Sequence, residues 1–228
     1  MQNQQADLSW RSSDEAGDVP VSERFDDPYF SLDNGLEETR HVFLAGNDLP
    51  ARFSDGFRIA ELGFGTGLNM LTAALAWQSA GVAGRLHLTS FEAYPMDASE
   101  MRRALAAFPE LGRLRDVLVD GWSQGGPIAL SETVRLDVII GDARETLPEW
   151  RGVADAWFLD GFSPAKNPEL WGADLMAQVH AHTAPGGTAA TYTAAGFVRR
   201  GLSDAGFAVE RTPGFGRKRH MTRARRAP

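Results

Sequence analysis

Glu61, Glu92, Asp142 and Asp160 each close a short apolar run, and a run of alternating glycines, Gly63-Phe64-Gly65-Thr66-Gly67, follows the first of them. Glycine at every second position lets the backbone approach a ligand closely and bend through angles that a side chain would block. A helix start behind such a turn offers free N–H groups. In open parallel sheets, ligands bind at the carboxyl ends of the strands. Four acids at that topological position would repel one another unless each had a partner, so a functional reading explains them better than a stabilising one. Glu92, at the end of the next strand, can accept from both hydroxyls of a ribose. Asp142 can accept from an adenine amino group. Taken singly, each acid could instead be a helix N-cap or a first-turn charge.

The spacing selects among adenine cofactors. A dinucleotide turn reads G-x-G-x-x-G, but the position three after Gly65 is Leu68. Here the pattern is acid-x-G-x-G-x-G. A carboxylate at Glu61 would repel a pyrophosphate and suits a cofactor with an ammonium group, as S-adenosylmethionine has. The plainer alternative is a glycine turn that binds nothing.

A second dense motif runs from Asp160 through Gly161, Phe162, Ser163, Pro164, Ala165, Lys166, Asn167 and Pro168 to Trp171. Two prolines and a glycine stiffen a loop directly behind a strand-end acid. Rigid placement of reacting groups is worth roughly 7–11 kcal/mol in favourable cases. Phe162 and Trp171 offer flat faces suited to a nucleobase, or they are ordinary core aromatics. Lys166 can contact a phosphate or lower the pKa of an incoming amine; otherwise it is a solvated loop lysine.

These groups need a scaffold, and the pattern supplies one. Strands are predicted at Arg58–Leu62, Leu86–Phe91, Leu136–Ile140, Asp155–Leu159 and Thr188–Thr193. Helical stretches alternate with them: 68–77, 97–108 with the capping box Asp97-Ala98-Ser99-Glu100, 167–184, and 194–205. That alternation predicts an α/β fold, Rossmann-like, with a mostly parallel sheet and helices on both faces. Phe207–Arg211 and Arg217–Thr222 add a C-terminal antiparallel hairpin. Residues 25–57 read as an extended lead-in with a small hairpin.

Composition sets outer limits. At 228 residues the chain reads as one domain,. It has no cysteine, which excludes disulfides and thiolate metal sites and is compatible with a reducing cytoplasm,. Its five histidines are scattered, so no metal is expected. No apolar run approaches the roughly 18–20 residues needed to cross a bilayer. Residues 211–228 carry seven bases and no acid, which leaves 16 bases against 30 acids, a net charge of −14, in residues 1–210. A basic strip on an acidic body predicts a polyanion contact at one edge. Residues 1–24 read as a flexible tail, 25–222 as the domain and 223–228 as a mobile basic tail.

Together these pieces resemble the class I S-adenosylmethionine-dependent methyltransferases. Several stretches are similar, more specifically, to the methyltransferase part of the MnmC family: Phe25–Ser31, Gly35–Arg40, Glu61–Asn69, Trp157–Pro168, Thr193–Gly196 and Gly214–Arg219. The resemblance implies methylation of the aminomethyl group of 5-aminomethyl-2-thiouridine at the tRNA wobble position. It further implies that S-adenosylmethionine is held by Glu61, Gly63, Phe64, Gly65, Gly67, Asn69, Glu92, Asp142 and Asp160, with Asp160 also catalytic. The tRNA anticodon stem-loop would meet Tyr29, Phe162, Lys166, Asn167, Trp171, Arg199, Arg200, Arg217, Lys218 and Arg219. Many members continue into an FAD-dependent oxidase. This chain stops before it, as the stand-alone form MnmD or an excised domain would, so neither FAD nor NAD is expected and a separate enzyme must supply the aminomethyl precursor. The expected setting is the cytoplasm, with no membrane contact. The competing expectations are an N-methyltransferase or aminopropyltransferase acting on a small amine, and a non-catalytic nucleotide-binding module.

Overall fold

The computed structural model describes residues 5–13, 17–32, 34–123 and 125–228. Its centre is an eight-stranded sheet ordered β10-β11-β9-β8-β4-β5-β7-β6. The strands are β4 (Phe57–Leu62), β5 (Leu86–Glu92), β6 (Gly126–Ala129), β7 (Val134–Ile140), β8 (Ala154–Leu159), β9 (Thr183–Thr191), β10 (Ala208–Pro213) and β11 (His220–Arg225). The inner five, β9, β8, β4, β5 and β7, are parallel. Antiparallel strands flank them, β6 on one edge and the β10–β11 hairpin on the other. The chain runs outward from β4 to β7 and then returns to β8 on the other side of β4. That reversal is the topological switch point at which such sheets bind ligands.

Residues alternate faces along each strand. Ile59 and Phe158 therefore join one core, which α2 (Leu68–Ala80), α3 (Ala98–Leu105) and α4 (Gly112–Asp120) cover through Leu71, Met101 and Leu118. Ala60, Leu62, Trp157 and Leu159 join the other, covered by α5 (Ala143–Glu149), α6 (Ala173–Ala181) and α7 (Gly196–Asp204) through Leu147, Val179 and Leu202. Helices on both faces explain why the inner strands read as nearly unbroken apolar runs. The expected α/β fold, its parallel sheet and its C-terminal hairpin are all present. The capping box at Asp97 and Glu100 forms as expected.

Four expectations about the scaffold need correction. Leu8–Ser13 (β1) and Gly17–Ser22 (β2) pair as antiparallel strands and are extended by Asp27–Pro28 (β3), so this part of the N-terminus is not a loose tail. Arg103 of α3 anchors it, ion-paired to Asp18 and stacked 4.0 Å from the Trp10 ring. The rest of the tail expectation, at residues 1–4 and 14–16, lies outside the described residues. The 25–57 segment is not simply extended: it contains α1 (Gly35–Thr39), a π turn (Arg40–Leu44) and a 3-10 turn (Ala45–Asn47). Within 167–184, a 3-10 turn (Pro168–Trp171) and the extended Gly172 precede α6, and β9 begins at Thr183.

The basic C-terminus is the fourth. Arg223 and Arg225 belong to β11 and both bind Asp48, at 2.6 and 3.0 Å. Deleting residues 223–228 removes these contacts together with the last ladder pairs to β9 and β10. It should cost about 2–3 kcal/mol, from several hydrogen bonds at about 1 kcal/mol each, and lower Tm by roughly 5–10 °C. Calorimetry checks this; an unchanged Tm would mean the segment contributes nothing to the fold.

Candidate active site

A cleft of about 680 Å³ opens over the carboxyl ends of the parallel strands. Its floor is the turn after β4. Gly63 has φ +82°, and a Cβ there would lie 3.1 Å from Gly161 Cα, so a side chain would push apart the two loops that bound the switch point. Gly67, also at φ +82°, caps α2. Gly63, Phe64, Gly65 and Asn69 line the cleft, whereas Gly67 lies behind it.

Glu92 closes β5 and lines the cleft. Its two carboxylate oxygens accept the backbone N–H groups of Gly65 (2.8 Å) and Tyr94 (2.7 Å), which fixes the glycine turn. Burial raises its pKa, and these backbone donors oppose the rise. Asp142 also lines the cleft. It caps α5 through Arg144 N–H (2.9 Å) and is paired with the Arg144 guanidinium at 2.5 Å, which holds its carboxyl below the usual range. The N-cap alternative for this residue is therefore realised, in a position that still faces the cleft.

Asp160 follows β8 at the switch point. Burial pushes its pKa up to about 6, against the favourable bonds from Asn69 and the Gly161 backbone. Asn69 Nδ2 donates to Asp160 at 2.7 Å and to Glu61 at 2.9 Å, while Asn69 Oδ1 accepts from Thr39 at 2.7 Å. Glu61 does not reach the cleft, contrary to the expectation that it meets an ammonium group. It lies one residue inside β4, opposite Ser90 of β5, is 0% exposed and accepts the Ser90 hydroxyl at 2.6 Å. Burial drives its pKa well above the ordinary carboxylate value.

The walls are aromatic and charged. Phe162 stacks on Phe25 with centroids 4.7 Å apart and meets Tyr29 edge-on at 4.9 Å. The N-terminal segment is tied down across the cleft: Asp27 accepts Ser163 N–H at 2.7 Å, and Lys166 pairs with Asp26 at 3.2 Å. On the opposite side Lys218 pairs with Glu38 (2.6 Å) and sits 4.2 Å from the Tyr192 ring centroid. Asn167 and Arg217 also line the cleft. Trp171 does not. It is 1% exposed and donates its indole N–H to Phe162 O, so it supports the loop and offers no face to a base. Arg200 and Arg219 are exposed and Arg199 half-buried; none of the three lines the cleft. Thr39, Ser90, Glu38, Phe25 and Tyr192 escaped the residue-by-residue reading. Thr39, Glu38 and Phe25 do fall in motifs that carried the family resemblance, whereas Ser90, a lone hydroxyl in an apolar strand, was the available signal for Glu61's partner.

A parallel sheet with a reversed C-terminal hairpin, a glycine turn after its first inner strand and acids at the next strand ends define a class I S-adenosylmethionine-dependent methyltransferase. Residues 111–227 match the family described as S-adenosyl-L-methionine-dependent methyltransferase, and the chain belongs to that family. Among individual proteins, it is 48% identical over 225 residues to the tRNA 5-methylaminomethyl-2-thiouridine biosynthesis bifunctional protein MnmC of Chromohalobacter salexigens, covering 94% of this chain and 32% of that protein. The MnmC of Aeromonas hydrophila is 47% identical over 241 residues, covering 97% and 35% respectively. The chain thus spans about a third of the length of these relatives. Among solved structures, MNMC2 from Aquifex aeolicus superposes with TM-score 0.78 at 25% identity, over 98% of this chain and 72% of that one. Among the described residues no helix is long and apolar enough to cross a membrane, and no cluster of metal-ligating side chains occurs.

Proposed function

We propose that this chain transfers a methyl group from S-adenosylmethionine to the aminomethyl nitrogen of 5-aminomethyl-2-thiouridine at the wobble position of tRNA, in the cytoplasm. The observation that carries the reading is Asp160: a half-buried carboxylate at the switch point, with a pKa near 6, in a cleft that opens toward Arg217 and Lys218. The identity to MnmC proteins over nearly the whole chain supports the same substrate.

The cleft suits the cofactor. Gly63 and Gly65 line the cleft without side chains, and Glu92 and Asp142 offer acceptors for ribose and adenine. Bound there, S-adenosylmethionine supplies a methyl group made electrophilic by a sulfonium. A protonated aminomethyl nitrogen has no lone pair to attack with. Asp160 accepts its proton, and general-base assistance of this kind contributes typically about 10²–10⁴-fold. Lys218 and Lys166 stand near the entrance, but each is paired with a carboxylate, Glu38 and Asp26 respectively, so the neutral amine depends on Asp160,. Phe25, Tyr29 and Phe162 form an aromatic wall against which the uridine stacks. Arg199, Arg200, Arg217 and Arg219 would meet phosphates of the anticodon stem, with Asn167 contacting the loop. The aminomethyl precursor is then the product of a separate enzyme or domain.

Salt dependence tests the tRNA contact. Each phosphate contact lowers log affinity by roughly 0.7–0.9 for a tenfold rise in salt. Replacing Arg217, Lys218 and Arg219 with alanine should raise the Kd for tRNA and flatten that slope by about two units, while S-adenosylhomocysteine binds as before. An unchanged affinity and slope would remove the hairpin from the interface. Methylation of a free small amine at the rate of tRNA would favour a small-molecule enzyme instead.

A further inference from the structure

Asn69 of α2 joins groups from three other segments, β4, α1 and the loop after β8, and the chemistry of its carboxamide sets the direction of these bonds. The carboxamide has two N–H donors and one acceptor oxygen. The donors go to Glu61 Oε1 at 2.9 Å and Asp160 Oδ2 at 2.7 Å, and the oxygen accepts from Thr39 at 2.7 Å. Turning the amide over would set its oxygen against two carboxyl oxygens. Thr39 ends α1 where the π turn begins, which brings its hydroxyl to the head of α2. Glu61 is 0% exposed, and the partners of its oxygens are Asn69 and Ser90. Burying a carboxyl is costly, and Glu61 is not among the residues that line the cleft.

We propose that Glu61 and Asn69 are positioning residues for Asp160: Glu61 fixes one N–H of the Asn69 carboxamide so that the other is aimed at the carboxylate that takes the substrate proton. This rests on the role given to Asp160 above. A hydrogen bond to the charged form favours it, so the Asn69 bond keeps a carboxylate in a desolvated cleft able to ionise near neutrality. The other titratable and charged groups facing Asp160 are Glu38 of α1, Lys218 of the hairpin and Tyr192 beyond β9. Among the described residues, the Asn69 carboxamide bonds to Glu61, Asp160 and Thr39 and to none of these three groups.

The test is a carbon-13 NMR titration of the Asp160 carboxyl in the full chain, assigned with Asp160→Asn. Asn69→Ala and Glu61→Leu should each move its midpoint up by about one pH unit, a tenfold change in its dissociation constant. Glu61→Gln keeps an acceptor for Asn69 and gains a donor for Ser90, so it should leave the midpoint near that of the wild type. The Asn69 carboxamide spends both N–H groups and its oxygen on Glu61, Asp160 and Thr39. Against the expectation that it holds the cofactor, S-adenosylhomocysteine affinity in Asn69→Ala should therefore stay within about threefold, less than the loss of a hydrogen bond to the cofactor. An unmoved midpoint in Asn69→Ala would overturn the proposal, as would a large loss of cofactor affinity with no titration shift. Should Glu61→Leu fail to fold, Asn69→Ala and Glu61→Gln still decide. No tRNA enters the measurement, so failure to methylate tRNA would refute the proposed substrate and leave this result standing.

Discussion

Asp160→Asn should lower methyl transfer at saturating tRNA and cofactor by roughly 10²–10⁴-fold, the range for loss of a general base. S-adenosylhomocysteine should bind within about threefold of wild type, because asparagine keeps the shape and polarity of the site. The pH profile has a definite sign. Asp160 accepts a proton only when ionised, and burial raises its pKa to about 6. Wild-type turnover should therefore rise with pH through about 6 and fall away on the acid side. Stability runs the opposite way. A carboxyl whose folded pKa is raised favours folding below its unfolded value near 3.8, and that contribution is lost as pH rises through about 6,. At pH 8 the ionised Asp160 costs the fold about 2–3 kcal/mol, from a shift of about two units. Asp160→Asn should thus be more stable than wild type at pH 8 and lose that advantage by pH 4. Equal stability at both pH values would contradict the raised pKa, and wild-type turnover in the variant would end the catalytic assignment.

The second large effect belongs to Glu92. Its carboxylate fixes the glycine turn through Gly65 and Tyr94 and faces the cleft as well. Glu92→Ala should weaken S-adenosylhomocysteine binding by about 1.5–3 kcal/mol for the lost bonds to a charged group, or roughly 10–150-fold in Kd. Glu92→Gln retains a single acceptor oxygen and should fall between the two. Isothermal calorimetry reads both, and wild-type affinity in Glu92→Ala would show that the ribose is held elsewhere.

Much of the scaffold was legible because local rules and tertiary structure agree there. The β4 strand, glycine turn and α2 follow one another as the pattern requires, and the Asp97 capping box states its own helix start. The N-terminal sheet was hidden because β1 is mostly polar and β2 is interrupted by Pro20, and their support is tertiary, from Arg103 on α3 and from the burial of Val19 in the core. α1 carried a signal in Asn34, whose side chain accepts Glu37 N–H, but five residues followed by a π turn give little periodicity to read. Trp171 shows the limit of motif reading at a site: an aromatic after a proline loop looks the same whether it stacks on a base or fills a core. Glu61 shows another. Its position one residue inside β4 turns its side chain toward Ser90 and Asn69, and only strand register reveals that. The C-terminal arginines read as free charge until Asp48, far away in sequence, supplied their partner.

The most direct test of the central claim is methyl transfer itself. The full chain should be incubated with methyl-labelled S-adenosylmethionine and tRNA from a strain that makes the aminomethyl intermediate but cannot methylate it. After digestion to nucleosides, the label should appear in 5-methylaminomethyl-2-thiouridine, and tRNA that is already fully modified should take up none. Label on any other nucleoside, or none in tRNA while a free amine is methylated, would contradict the account.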